Sequence, residues 1–122
     1  MRTKVLRVAI APRDAIKRYT RDVVAGRRRR TPDDPDVWFT SVESFAKILS
    51  ERNRALLAII AALRPDSIDA LAAASGRAKS NLSRTLRTME HYGLVRLEKG
   101  TGRRVRPVVT FARVELRLQV AA

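Results

Sequence analysis

Between Gly76 and Gly93 the chain reads Arg-Ala-Lys-Ser-Asn-Leu-Ser-Arg-Thr-Leu-Arg-Thr-Met-Glu-His-Tyr, and two kinds of side chain alternate along it. Leu82, Leu86 and Met89 stand four and three residues apart, the spacing of one helix face. The opposite face then carries Ser80, Asn81, Ser83, Arg84, Arg87 and Thr88, with Arg77 and Lys79 at the entry. Arg and Asn form bidentate hydrogen bonds to guanine and adenine edges, while Ser and Thr suit phosphate oxygens. Further on, Lys99, Arg103 and Arg104 surround Gly100 and Gly102 as a basic finger able to reach DNA backbone or minor groove. Catalytic chemistry has no comparable set. His91 is the single histidine and cysteine is absent, so it lacks partners for catalysis or metal binding and reads as a packing or capping residue. No P-loop, nucleotide fingerprint or supported Ser/His/Asp constellation occurs. No enzyme activity, cofactor or metal is expected. Asp33, Asp34 and Asp36 read as a solvated run, and Trp38-Phe39 as core or dimer-interface packing.

These side chains need a particular frame. Ile68 to Ala74 reads as a short apolar helix, capped early by Asp66 or Ser67, that packs across the helix of about Lys79 to Tyr92. Ser75-Gly76 supplies the turn, the alanines at 72–74 permit close approach, and Gly93 is the stop. After Gly93 the period changes to two: Leu94–Glu98 is a strand, Lys99–Gly102 a turn and Arg103–Thr110 the returning strand, at an edge or bulged because of Pro107. Val114, Leu116, Leu118 and Val120 alternate with polar residues as a third strand. Upstream, Ser41 caps a helix bearing Val42, Phe45, Ile48 and Leu49, and a second apolar set from Leu56 to Leu63 ends at Arg64-Pro65. Periodicity leaves open whether Ser50–Asn53 bends or breaks this helix. Residues 4–10 read as a strand, and Ile16, Tyr19, Val23 and Val24 mark a helix stopped by Gly26. The expected fold is mainly α with a β-hairpin wing, an α+β class. It comprises a strand-helix extension over 1–25, a basic and Pro/Asp linker over 26–36, a winged helix-turn-helix over 37–110, and a C-terminal strand and tail over 111–122.

The charge narrows the partner. The 122 residues hold 26 Lys and Arg against 12 Asp and Glu, a net of +14 with pI near 11.6. Residues 1–30 carry 11 basic and 2 acidic side chains, 31–76 carry 4 and 7, 77–106 carry 9 and 2, and 107–122 carry 2 and 1. Two basic blocks separated by an acidic stretch point to a polyanion. At 45% hydrophobic but 5% aromatic, the core must be aliphatic. Absent cysteine excludes disulfides, thiol nucleophiles and cysteine-based zinc sites. No apolar run approaches the roughly 18–20 residues that span a bilayer, and the N-terminus lacks a signal-peptide pattern, so a cytoplasmic protein with no membrane partner is expected. The run Arg27–Arg30 suits an arm tracking phosphates, a solubilising linker, or internal pairing with the aspartates beyond it.

The segment from Ser75 to Val95 resembles the recognition region of MarR-like winged-helix regulators. Val37-Trp-Phe-Thr-Ser-Val-Glu-Ser-Phe-Ala-Lys-Ile-Leu-Ser-Glu-Arg-Asn53 extends the resemblance to a prokaryotic group of DNA-binding proteins that includes TumA-type antitoxins, over about residues 37–118. The expected function is a sequence-specific, double-stranded DNA-binding transcriptional regulator, a repressor, acting as a homodimer. The alternative that the resemblance implies is an antitoxin that neutralises a toxin protein and represses its own operon. A third reading is nucleic-acid binding by charge without sequence preference. Homodimerisation is expected through the terminal strands, whose Val5, Leu6, Val8, Ile10, Val114, Leu116, Leu118 and Val120 would otherwise leave apolar open edges.

Overall fold

A computed structural model of the protein describes residues 4–120. Along them run β1 (Val5–Ile10), α1 (Arg13–Val24), β2 (Val37–Phe39), α2 (Val42–Ile48), α3 (Glu51–Leu63), α4 (Ile68–Ser75), α5 (Lys79–His91), β3 (Arg96–Lys99), β4 (Val105–Val108) and β5 (Arg113–Arg117). This is an α+β fold with five helices and two small sheets among the described residues. No helix is long and apolar enough to cross a membrane. The chain groups into two compact units, one from the segments up to Ala46 and from Phe111 onward, the other Lys47–Thr110.

In the first unit β1 is the central strand of an all-parallel sheet ordered β2-β1-β5. Val8 pairs with Val37 on one side, and Val5 with Arg113 on the other. Parallel neighbours require a crossover, and α1 with the loop after it supplies that between β1 and β2. Leu6, Val8, Val37 and Phe39 are buried, and Phe39 meets Phe45 edge-on at 5.5 Å. The terminal strand expected to offer an open edge is thus internal, because β2, a strand not anticipated from the sequence, and β5 cover both its sides. Trp38 lies in β2 and packs its ring on Tyr19 at 5.2 Å.

Residues 26–36 are tied down by hydrogen bonds. Asp34 is buried, 8% exposed, and its carboxylate accepts from Tyr19 Oη (3.2 Å), Thr31 N–H (3.1 Å) and Arg28 (3.3 Å). The Thr31 N–H above all, with Tyr19 and Arg28, holds this carboxyl below the usual Asp value against the opposing effect of burial. Arg27 pairs with Asp22, Arg30 with Asp36, and Arg28 also lies over the Tyr19 ring at 4.8 Å. Asp36 in turn accepts from the Arg7 N–H, and Asp33 O from Arg117 (2.6 Å). The carboxylates of Asp34 and Asp36 are therefore acceptors of internal bonds rather than part of a solvated run, since neighbouring arginines and backbone donors reach them, whereas Asp33 is exposed and only its backbone carbonyl is engaged. Of the three uses open to the arginine run, pairing with the aspartates beyond it is found for Arg28 and Arg30, whereas Arg27 turns back to Asp22 in α1.

The second unit is helical with one hairpin. The break between α2 and α3 has a local cause. Ser50 Oγ accepts from Asn53 N–H (3.2 Å) as a new N-cap, while Asn53 Nδ2 donates to the Ile48 carbonyl (3.0 Å) that ends α2. Ser67 caps α4 in the same way, and Gly76 closes it at φ 71°, the left-handed conformation a non-glycine residue resists. Leu56, Leu57, Ile60, Leu71, Leu82, Leu86, Met89, Leu94, Val95 and Pro107 form the core. β3 and β4 pair antiparallel with Leu97 opposite Pro107. In a two-stranded hairpin both strands are edges, which is why the proline is tolerated.

Candidate nucleic-acid interface

α5 presents two different surfaces. Leu82, Leu86 and Met89 are 0% exposed, whereas Lys79, Ser80, Asn81, Arg84, Arg87 and Thr88 on the other side are exposed. Ser83 departs from the expected outward set: it is half-buried at the rim of the helix. His91 is exposed at the helix end and stacks edge-on against Tyr92 at 5.3 Å. Thr88 Oγ1 donates to the Arg84 carbonyl one turn back. Among the described residues neither Arg84 nor Arg87 makes an ion pair.

The hairpin carries its cations in two groups. Arg96 and Arg106 grip Glu98, at 2.8 Å (Nε) and 2.6 Å (Nη2) respectively. Arg106 foremost, with Arg96, holds that carboxyl below its ordinary value against partial burial. The tip behaves otherwise. Lys99 and Arg103 are exposed and form no ion pair among the described residues, while Arg104 reaches Asp66 at 3.5 Å. Lys79 is paired with Asp69 at 2.9 Å. A cleft of about 310 Å³ brings the tip and the helix starts together, with Ser67, Asp69, Lys79, Thr101, Arg103 and Arg104 on its walls.

Arg77 is the expected site residue whose role differs most from a simple surface cation. It is half-buried, and its guanidinium donates to Asn53 Oδ1 (3.2 Å), Asn81 Oδ1 (3.3 and 2.8 Å) and Thr85 Oγ1 (3.3 Å). Burial first, then the nearby Arg52 cation, lowers its pKa from the ordinary Arg value. Asn53, which sequence reasoning did not single out, links this network to the Ile48 carbonyl. Its signal was an Asn three residues after the serine cap. A shallow cleft of about 200 Å³ beside it, lined by Lys47, Asn53, Arg84, Thr85 and Thr88, adds Lys47 to the same surface.

The residues brought together are thus Arg77 with Asn81, Arg84 with Thr88, and Lys79 with Arg103 and Arg104, while among the described residues no side-chain hydrogen bond or ion pair draws Ser80, Arg87 or Lys99 into a group. The surface is rich in N–H donors and poor in free carboxylates, an arrangement complementary to phosphate oxygens and base acceptors. No curated protein matches the chain, and no solved structure does. The HVO_A0114 family model matches residues 48–116, which run from the end of α2 through α5 and the hairpin into β5. That span is more than half of the 122 residues, and the chain belongs to the HVO_A0114 family.

Proposed function

We propose that residues 47–110 are a winged helix-turn-helix unit that binds double-stranded DNA, and that the protein is a transcriptional regulator. In this reading α4 packs across α5, α5 enters the major groove, and the β3–β4 hairpin is the wing that follows the adjacent backbone. The observation that carries it is the division of α5: a fully buried apolar face opposite a face whose Arg84 and Arg87 have no acidic partner among the described residues. A surface evolved only for solubility would gain from pairing those guanidiniums, as Arg96 and Arg106 are paired on the hairpin.

One recognition helix reads few base pairs, so the regulator acts as a homodimer on a two-fold operator. Support comes from β5, the last strand of its sheet, and from Leu118 and Val120 beyond it, 53% and 98% exposed. Antiparallel pairing of two β5 strands about Leu116 sets Glu115 of one copy opposite Arg117 of the other. The test of DNA reading is selection of bound duplexes from a random pool. Enrichment of a short two-fold sequence is expected. Equal affinity for every duplex would replace this reading with binding by charge alone.

A further inference from the structure

Asn81 is an ambiguous reader in principle. Its amide offers an acceptor and two donors, which suits the adenine edge: the oxygen accepts from N6 while the nitrogen donates to N7. Its surroundings remove the ambiguity. Arg77 Nε and Nη2 both point at Asn81 Oδ1, at 3.3 and 2.8 Å. A guanidinium has donors and no acceptor, so only the oxygen of Asn81 can face it, and both lone pairs of that oxygen are occupied. Arg77 is itself held from the other side by Asn53 Oδ1 and Thr85 Oγ1. Asn53 cannot turn to release it, because its own Nδ2 is engaged by the Ile48 carbonyl. The chain of bonds therefore runs from the end of α2 to an exposed residue on α5 and fixes which way the amide points.

We propose that Arg77 acts as a positioning residue that makes Asn81 a donor-only contact, so that Asn81 selects the acceptor edge of guanine over adenine. This rests on the reading of α5 as the helix in the major groove. Guanine presents N7 and O6, both acceptors, to the outward NH2 group. Adenine presents N7 beside N6-H2, and a second donor facing the amide nitrogen is repelled. The discrimination is roughly tenfold, toward the low end for one amide at one base.

The experiment is duplex selection from a random pool with the full-length wild type, Arg77→Met, Arg77→Lys and Asn81→Asp, each first shown to unfold cooperatively. Wild type is expected to enrich guanine at one position of each half-site. Arg77→Met keeps the length of the side chain but has no donor, so it frees the amide and shifts that position toward adenine by about tenfold. Arg77→Lys retains a donor and keeps guanine. Asn81→Asp preserves the contact with Arg77 but turns an acceptor outward, and should exchange guanine for cytosine, whose N4 donates. This exposed substitution keeps the proposal testable even where Arg77→Met fails to fold. Guanine retained at that position in Asn81→Asp, or an unchanged preference in a folded Arg77→Met, overturns the assignment while leaving DNA binding intact. Wild type with no enrichment at all removes the DNA reading and the assignment with it.

Discussion

Joint replacement of Lys99 and Arg103 by alanine tests whether the hairpin tip lies against phosphates. Both side chains are exposed and unpaired among the described residues, so their loss disturbs no internal contact. Each phosphate contact on duplex DNA contributes about 0.9 to the slope of log affinity against log salt, so the double variant should be flatter by about 1.8. Between about 50 and 200 mM salt the wild type should then lose about twelvefold more affinity than the variant. Arg104 is expected to contribute less than a full contact, because Asp66 stands 3.5 Å away and must be given up. Both partners of that pair are well exposed, so it is worth only about 0.2–1 kcal/mol and Asp66→Asn should steepen the slope slightly. Fluorescence anisotropy on one labelled duplex across a salt series measures all three slopes. Parallel lines for wild type and the Lys99/Arg103 variant would place the tip away from DNA and refute the wing assignment.

Three further outcomes are expected. Asn53→Ala removes both the bond to the Ile48 carbonyl and an acceptor of Arg77, and should destabilise the chain by about 1–3 kcal/mol in urea unfolding; a loss below about 0.5 kcal/mol would mean that the network is loose. Asp34 has a folded pKa below its unfolded value, so its stabilisation is complete above the unfolded pKa, about 3.9, and is lost as pH falls through the folded one. Thermal midpoints of Asp34→Asn should consequently fall less steeply than those of wild type below about pH 4, and identical acid limbs would contradict this. Leu118→Lys with Val120→Lys should convert a dimer to a monomer in light scattering, whereas a wild type already monomeric at tens of micromolar removes the two-fold operator.

The parts legible in the sequence are those set by neighbours a few residues away. Leu82, Leu86 and Met89 announce a buried face by spacing alone, and Ser67, Gly76 and Gly93 mark ends of α4 and α5 through capping and turn chemistry that needs no distant partner. β2 escaped because Val37-Trp38-Phe39 is too short to show a period, and it is a strand only by virtue of β1, some thirty positions earlier. The pairing of Arg28 and Arg30 was one of several open readings, since composition gives the charges in residues 26–36 and not the turn that aims them. The role of Arg77 was hidden for a similar reason. Its type suggested a direct DNA contact, but it donates to Asn81 and Thr85 on α5 and is held from the other side by Asn53, an acceptor on another helix that spacing does not reveal.

The placement of β1 between β2 and β5 bears on the order in which the protein assembles. Val8 meets Val37 across a loop of 29 residues, whereas Val5 meets Arg113 only across 108. For an unstructured connection, that difference adds about 1 kcal/mol of loop-closure entropy to the second pairing. Residues 47–110 need neither strand, since their core is drawn from within that segment. The helical unit is therefore the fast, low-contact-order part of the chain, and the parallel sheet is the slow one. On a ribosome, β1 and β2 would emerge well before β5, and one edge of β1 would wait unpaired through synthesis of everything between them. Arg7 on that waiting strand, with Lys4 just ahead of it, places charge where an exposed edge would otherwise recruit another chain.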